Sequence, residues 1–338
     1  MPTGAKLDTT LPMSTFPSMD AAIEFAQDAE DVGYSFISMS EVTGYNAVAV
    51  QGALARQTTE IGITNDVISP YGRSPALLGQ TAATVQQLSG GRYRMGLGAS
   101  SPPLAEQWHG REFDRPLRTL REAIEIINMI LAGERADYSG EIFDLGGLNP
   151  EFDAIEPKPG IDIAALGPKS VEMTGRFADG WVPQLFTPDG LRDRLEDLER
   201  GAELGDRSLD DLRVTPTFRC CALEDRERAR TLARDQLVFM LAAYGPFYRE
   251  SVARQGWEEV TSEIHQRWED GDKEGARDAL PDELMDDLVG AGRPEEVRER
   301  IRKFTDIDAV DAVRISFSHG QSVEELEQTR DALAPENW

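Results

Sequence analysis

The chain has 338 residues, 40% of them hydrophobic, and its 61 acidic and 35 basic residues give a formal net charge of -26. Because nucleic-acid phosphates would be repelled by so negative a surface, a nucleic-acid partner is disfavoured. No apolar run reaches the roughly 18 residues that suggest a membrane span, and the opening MPTGAKLDTTLP lacks the basic and apolar leader of a secretion signal. We therefore expect a cytoplasmic protein with no membrane partner.

The negative charge is dispersed rather than gathered in a tail. Carboxylates recur along helix-like segments such as 191–200 and 282–287, and only five residues are lysine. One interpretation is an acidic surface that binds cations or a basic partner. The other is a solvated surface adapted to concentrated salt, in which screening relieves the repulsion. The dispersal and the scarcity of lysine favour the second, and with it an origin in a halophilic archaeon.

Short apolar strand candidates alternate along the chain with amphipathic helix candidates. The predicted strands are 7–11, 34–39, 60–68, 93–97, 161–166, 181–182, 213–222 and 312–317. The predicted helices are 19–32, 46–57, 75–88, 116–132, 168–178, 188–204, a stretch from about 224 onward, and 294–303. About eight such units predict a parallel sheet with helical crossovers, and the length favours a single-domain (β/α)₈ TIM barrel over an open sheet.

Two segments do not follow this alternation. Residues 138–160 contain Gly146-Gly147 and three prolines, which predict a loop or hairpin insertion. Residues 244–290 are charged and helix-like, and we expect them to form an insertion near the barrel mouth, in the manner of a lid.

No residue pattern of covalent or metal catalysis is present in the sequence. There is no G-x-S-x-G, H-E-x-x-H or C-x-x-C motif, and the three histidines are scattered at 109, 265 and 319. Cys220 and Cys221 are adjacent, an awkward arrangement for a mutual disulfide. We therefore predict no metal site and favour a cofactor that carries the chemistry itself.

In a barrel of this kind, functional residues gather where the strands end and the βα loops begin. The candidates at these positions are Asp8, Ser40-Glu41, Asn65–Ser69, Gly98–Ser101 and Gly167–Ser170.

Two of these segments contain glycine and invite comparison with phosphate loops. GLGASS, residues 96–101, has only two glycines, and the prolines at 102 and 103 prevent a helix from starting at once, so it lacks the dinucleotide fingerprint. GPKS, residues 167–170, stands between a strand and a helix, where free N–H groups, a hydroxyl and a lysine suit a phosphate. An ordinary helix cap explains GPKS equally well.

Four segments carry a family resemblance: 61–75, 88–98 (LSGGRYRMGLG), 101–131 (SPPLAEQWHGREFDRPLRTLREAIEIINMIL) and 164–181 (AALGPKSVEMTGRFADGW). The chain resembles the bacterial-luciferase-like flavin and deazaflavin oxidoreductases, in particular the branch that uses coenzyme F420. The resemblance implies a (β/α)₈ barrel that holds the cofactor ring at the carboxyl ends of the strands. It also implies a homodimer.

The resemblance assigns cofactor contacts to particular residues. A bulge with a non-prolyl cis peptide, placed at Asp66-Val67, would back the ring, and Gly98-Ala99-Ser100 would border the ring or its ribityl chain. Residues 167–170 would lie near the phosphate. The predicted cofactor-binding set is Ser40, Asn65, Asp66, Val67, Gly98, Ala99, Ser100, Gly167, Pro168, Lys169 and Ser170.

The chain departs from the F420-dependent branch after the second strand, where relatives often carry Asp-His and this chain has Ser40-Glu41. Glu41 is a candidate acid/base or hydrogen-bonding anchor, and a carboxylate that caps the next turn is the alternative. Asp8, placed after the first strand, is a weaker catalytic candidate. His109, in the Trp-His-Gly segment before a long helix, is interpreted as part of a structural corner.

Three hypotheses follow. The first is F420-dependent hydride transfer between C5 of the deazaflavin and a small organic substrate. The second keeps the fold but uses FMN, as a monooxygenase served by a separate reductase. The third is a cofactor-binding or degenerate homologue without turnover.

Overall fold

A computed structural model describes residues 6–338. The strands are β1 (Leu7–Thr10), β2 (Phe36–Met39), β3 (Gly62–Asn65), β4 (Arg94–Gly98), β5 (Ala136–Ser139), β6 (Asp144–Leu148), β7 (Gly160–Ala164), β8 (Gly180–Trp181), β9 (Arg213–Val214), β10 (Thr217–Ala222), β11 (Val289–Gly292) and β12 (Val313–Phe317). The helices are α1 (Met19–Asp31), α2 (Ala47–Gln57), α3 (Pro75–Leu88), α4 (Pro116–Leu131), α5 (Pro168–Phe177), α6 (Pro188–Glu203), α7 (Arg226–Ala242), α8 (Pro246–Val252), α9 (Glu258–Glu269), α10 (Lys273–Asp278), α11 (Asp282–Leu288), α12 (Pro294–Thr305) and α13 (Val323–Ala332).

The strands form two parallel sheets with helical crossovers, as the alternation predicts. One sheet has the order β11-β10-β12-β1-β2-β3, and the other has the order β4-β7-β8-β9. Parallel bridges at Ile63–Tyr93 and Ile68–Leu97 connect the region of β3 to β4, and a bridge at Gln184–Thr217 connects the segment after β8 to β10. The strands that begin the βα units therefore point the same way, and their carboxyl ends lie together.

Local sequence explains where several helices begin. The side chains of Ser18, Asn46, Ser74 and Thr187 accept backbone N–H groups of the first turns of α1, α2, α3 and α6. These residues satisfy donors that the helix itself leaves free. Proline occupies the first turn of α3, α4, α5, α6 and α12, where its missing N–H costs nothing.

The structure differs from the predicted elements in three places. The strand predicted over 213–222 is broken into β9 and β10 at Thr215-Pro216, because proline supplies no N–H to the ladder. Strand β11 and helix α13 were not predicted. The segment 138–160 agrees with the predicted hairpin alternative, since residues 138–148 belong to the antiparallel β5–β6 hairpin, which begins at Ala136.

Residues 244–290 contribute four helices, α8 to α11, and lead directly into β11. These helices share an apolar core with α7 and β11, and the core is distinct from the main one between the sheets and the outer helices; its members include Leu185, Leu237, Leu241, Ile264, Leu284 and Val289. Because Leu185 follows β8 and Val289 begins β11, this core joins the helical segment to the carboxyl end of β8 and to the start of β11. Within residues 6–338, no helix combines the length and apolar character needed to cross a membrane.

Candidate active site at the carboxyl ends of the strands

The segment after β3 lies between the ends of β2 and β4. The peptide bond Asp66-Val67 is cis, at the position that the resemblance implies. The amide of Asp66 donates to the carbonyl oxygen of Met39 at 2.9 Å. On the other side Ile68 donates to Gly96, and Gly98 donates to Ile68, at 2.9 and 3.1 Å. The segment is therefore tied to both neighbouring strands and holds Val67 at the edge of the site.

The glycines of GLGASS make room for this segment. A Cβ on Gly96 would overlap the carbonyl oxygen of Asn65, and a Cβ on Gly98 would overlap the side chain of Val67. Neither glycine has a positive φ, so close approach rather than backbone freedom explains both. Ser100, two residues on, has a φ of 69°, and its buried hydroxyl has no hydrogen-bond partner. The motif is a packing device beside the predicted ring site and not a phosphate loop.

Asn65 differs from its predicted role as a cofactor contact. Its side chain is completely buried, and its carbonyl oxygen accepts a hydrogen bond of 2.8 Å from the hydroxyl of Tyr93. Burial raises the pKa of Tyr93, so the phenol stays protonated and serves as the donor. The Asn65 side chain thus supports the β3–β4 contact and has no surface that faces a ligand.

Glu41 is an anchor in the structure. Its two oxygens accept from Nε and Nη2 of Arg73, each at 2.8 Å, and the backbone N–H of Ala47 adds a bond of 3.1 Å at the start of α2. Its side chain is only 16% exposed. The carboxylate therefore joins the β2–α2 loop to the β3–α3 loop. This geometry favours the anchoring and capping alternatives over the predicted catalytic role. Ser40, beside it, is exposed.

Asp8 requires a correction. It lies within β1 rather than after it, and its side chain is fully buried. Its oxygens accept from Nη2 of Arg213 at 2.9 and 3.0 Å, and Nη2 of Arg314 lies 3.4 Å away. A buried carboxylate between two guanidinium groups has no surface for a substrate. Asp8 therefore has a structural role. Its predicted position was after the strand, but it is the one charged residue within a short strand, and its side chain faces inward.

GPKS begins α5. The hydroxyl of Ser170 accepts from the N–H of Gly167 at 3.1 Å and donates to its carbonyl oxygen at 2.8 Å. The Ser170 hydroxyl is thus occupied by capping contacts. The N–H groups of Lys169 and Ser170, in the first turn of α5, have no acceptors inside the helix. Pro168 and Lys169 are exposed. The loop offers backbone donors and one ammonium group to an anion.

His109 lies in a corner that packs on the β3–α3 loop. A Cβ added to Gly72 would approach the His109 ring to 2.9 Å, and Tyr71 and Phe113 pack together with ring centroids 5.2 Å apart. The hydroxyl of Tyr71 donates to the carbonyl oxygen of Asp114 at 2.7 Å. These contacts agree with the interpretation of Trp-His-Gly as a scaffold.

Several polar residues of the carboxyl-end site were not predicted. Arg219 on β10, Gln184 after β8, Tyr248 on α8 and His319 after β12 lie near one another. The Tyr248 hydroxyl is 3.2 Å from Oε1 of Gln184. Burial raises the pKa of Tyr248 to about 12, with Tyr244 adding to the rise and Arg219 opposing it. A charged residue inside the otherwise uncharged strand TFRCCA was the available signal for Arg219. We call the region at the carboxyl ends of the strands that carries Ser40, Val67, Ser100, Arg219 and His319 the mouth.

Neither cysteine is a candidate nucleophile. Cys220 and Cys221 are free and buried. Burial raises the pKa of the Cys221 thiol to about 12 and that of the Cys220 thiol as well. Since the thiolate is the reactive form, both side chains are inert at neutral pH.

A cavity of about 600 Å³ lies at the other ends of the strands. It is lined by residues at the starts of β4, β7 and β9, among them Arg94, Gly160 and Arg213. The cavity therefore lies at the amino ends of the strands, opposite the mouth at their carboxyl ends.

Comparisons with known proteins agree with the geometry. The profile of the luciferase-like monooxygenase family matches residues 3–309. The chain belongs to this family. A protein of Mycobacterium tuberculosis, itself provisionally assigned as a coenzyme F420-dependent oxidoreductase, is 29% identical over 296 residues, which cover 82% of this chain and 85% of that protein.

Two solved structures share the fold. One is the coenzyme F420-dependent tetrahydromethanopterin reductase of Methanopyrus kandleri, with a TM-score of 0.81, 19% identity and coverage of 98% of this chain and 97% of the reductase. The other is the oxygenating constituent of 3,6-diketocamphane monooxygenase from Pseudomonas putida in complex with FMN, with a TM-score of 0.70, 19% identity and coverage of 98% and 97%. The predicted TIM-barrel-like α/β fold is confirmed.

Proposed function

We propose that this protein is a coenzyme F420-dependent oxidoreductase that transfers a hydride between C5 of the deazaflavin and a small organic substrate. One observation carries the proposal. The mouth offers groups that bind and orient a ligand, while the candidate acid/base and nucleophilic side chains near it are buried or held by other protein groups. Glu41 is held by Arg73 and α2, Asp8 is buried between two arginines, and both cysteines are inert. A cofactor then has to carry the electrons.

The residues of the mouth fit a flavin-like group. The side chain of Val67 packs directly on the backbone of Gly98, since a Cβ there would overlap it, and this surface, here called the ledge, is where the ring would rest. The hydroxyl of Ser100 is buried without a partner and is available to a ligand atom that enters beside it. The start of α5 presents the N–H groups of Lys169 and Ser170 and the Lys169 ammonium, a set that suits a phosphate.

When bound, the deazaflavin supplies or accepts the hydride at its C5 carbon. The chain's own part is to bind and orient. In this proposal the start of α5 would hold the phosphate, Val67 and Ala99 would contact the ring, and α8 would exclude water from the site. Burial raises the pKa of Tyr248 to about 12, so its hydroxyl keeps its proton at neutral pH, and its Oη, 3.2 Å from Oε1 of Gln184, would be a proton-bearing atom available to a substrate.

A titration of the purified protein with F420 and with FMN tests the proposal. We expect saturable F420 binding that Lys169→Ala weakens about tenfold, since a charge-assisted contact is lost. Lys158→Ala is the matched control, because Lys158 is paired with Asp179 at the far end of the strands. Binding of FMN in preference to F420 would favour the monooxygenase. Binding of neither would favour a homologue without turnover.

We also propose that the protein works as a homodimer in a salt-rich cytoplasm. The family resemblance supports the dimer, and the dispersed net charge of -26 supports adaptation to salt and the halophilic origin. Because salt screens repulsion between surface carboxylates, the unfolding temperature should rise as KCl increases toward molar concentrations. Light scattering at high salt measures the mass of the assembly, and a monomer there contradicts the dimer.

A further inference from the structure

Arg219 occupies an unusual position at the mouth. It lies on β10 directly opposite Ser316 on β12 and next to Val289 on β11. Its Nη1 donates to the carbonyl oxygen of Phe317 at 3.2 Å, while its Nε is buried without a partner. Burial lowers the pKa of the guanidinium, and the groups that oppose this effect are tyrosines and a cysteine rather than carboxylates. Part of the side chain remains exposed, so a ligand can reach it.

The other arginines that point inward from the strands are all paired. Arg94 pairs with Asp162, and Arg213 and Arg314 share Asp8, with Arg314 also in contact with Asp66. Arg219 makes no ion pair anywhere within residues 6–338, in a chain that has 61 acidic residues. Since a buried charge without a partner is costly, Arg219 is built for an anion that comes from outside the chain.

The neighbours of Arg219 are also unsatisfied. The hydroxyls of Ser316 on the adjacent strand and of Ser318 just beyond its end are buried and have no hydrogen-bond partner. Ser316 lies on β12, on the side that Arg219 shares through their pairing. Ser318 follows the last residue of β12 and continues along β10, since its N–H donates to the carbonyl oxygen of Cys220 at 3.3 Å. His319 follows, and its pKa is lowered by burial and then by Arg219, so that it is neutral and adds no competing charge at pH 7.

We propose that Arg219, together with Ser316 and Ser318, binds a carboxylate group of the substrate, so that the oxidoreductase acts on an organic acid. This inference rests on the proposed function. A single planar guanidinium matches the two oxygens of a carboxylate. A phosphate dianion would favour a second cationic side chain, and in the described part of the chain no lysine or unpaired arginine lies beside Arg219. The site belongs to the six-stranded sheet, whereas α5, the proposed cofactor-phosphate site, follows β7 in the other sheet. Substrate and cofactor anions therefore have separate places.

The test is calorimetric titration of the F420-loaded protein, and of the cofactor-free protein, with 4-oxopentanoate, with its neutral amide and with inorganic phosphate. We expect the carboxylate to bind at least about tenfold more tightly than the amide, the gain typical of a charge-assisted hydrogen bond. Arg219→Met should abolish the difference, and Arg219→Lys should restore part of it. Arg192→Met makes the same charge change on exposed α6 and should leave the preference intact.

The outcomes separate the two proposals. Equal binding of acid and amide to wild-type protein that binds F420 normally overturns the carboxylate site alone. Phosphate binding without carboxylate binding overturns the assignment of ligand class. Loss of F420 binding in Arg219→Met, with an unchanged circular dichroism spectrum, assigns Arg219 to the cofactor and also overturns the inference. Failure of wild-type protein to bind F420, with the carboxylate preference retained in the cofactor-free protein, contradicts the proposed function only.

Discussion

The inner face of the strands and the mouth above it use arginine in opposite ways. On the inner face the guanidinium groups of Arg94, Arg213 and Arg314 are neutralised by aspartates of other strands. At the mouth, Arg219 lies among hydroxyls, a phenol and a neutral histidine. The first arrangement stabilises the fold through ion pairs. The second leaves the positive charge of Arg219 without a negatively charged partner among the residues that the structure describes. A paired arginine therefore contributes to folding stability, whereas the unpaired Arg219 has its charge available for binding a ligand.

In the inner-face ion pairs, the charges of the arginines and aspartates compensate one another. Burial alone would raise the pKa of Asp162, but the charge and hydrogen bonds of Arg94 bring it below its ordinary value. Arg314, which has no exposed surface, contacts both Asp8 and Asp66. Because Asp66 precedes Val67 at the ledge, these ion pairs also fix the edge of the mouth from below.

Removing an arginine from each region should give the largest contrast. Arg314→Met leaves buried carboxylates with too little positive charge and should lower the free energy of unfolding by about 3–5 kcal/mol. The matched Arg219→Met removes a charge that has no partner and should cost little or even stabilise. Thermal unfolding of both variants in one buffer measures the contrast. Equal losses of stability would mean that Arg219 is also structural and would contradict the distinction between paired and unpaired arginines.

The glycine at 96 should be the next most sensitive position. Gly96→Ala forces a methyl group into the carbonyl oxygen of Asn65 and should destabilise the protein by about 1–3 kcal/mol or more while weakening cofactor binding. Gly52→Ala, in the middle of α2 with open space around it, should instead stabilise by about 0.5–1 kcal/mol. If both alanines behave alike in unfolding and binding assays, close packing does not explain the motif.

Glu41→Gln distinguishes an anchor from an acid/base. As an anchor, Glu41 loses its ionic bonds to Arg73, and we expect a loss of about 1–2 kcal/mol in stability with both limbs of the pH–rate profile retained. A catalytic acid or base would instead show a fall in kcat of about 10²–10⁴ and the loss of one limb. The second pattern would move Glu41 from the scaffold to the chemistry.

The smallest expected effect concerns His319. Its pKa is lowered by burial and then by Arg219, so Arg219→Met should raise it part of the way toward the ordinary 6.5. In the native protein His319 resists protonation, and stability should therefore fall as the pH drops below the unfolded value and level off below the folded pKa. Nuclear magnetic resonance titration of the His319 ring measures the shift. An unchanged value in the variant would show that Arg219 does not face His319.

Much of the scaffold could be predicted because its signals are local. Helix starts follow from Ser, Asn and Thr caps and from first-turn prolines, and the alternation of elements predicted the parallel sheets. GLGASS could be excluded as a dinucleotide loop from its spacing, yet the reason for its glycines lies in Asn65 and Val67, some thirty residues away in sequence.

The roles of the charged residues could not be predicted in the same way. Asp8 looked like a strand-end carboxylate because its partners Arg213 and Arg314 are about two and three hundred residues further along the chain. Glu41 likewise depends on Arg73 across a loop. Arg219 could have been noticed as the lone charge in TFRCCA, but only the fold shows that it lacks a partner. Non-local pairing decides which charges are structural.

The most direct test of the proposed function is an anaerobic assay in which protein loaded with reduced F420 is offered small ketones, imines and oxo acids. The proposal predicts that oxidised F420 reappears with an accepting substrate in the absence of oxygen, and that Gly98→Val, which crowds Val67, abolishes the reaction. Turnover only with reduced FMN and molecular oxygen would contradict it and assign the protein to the monooxygenases.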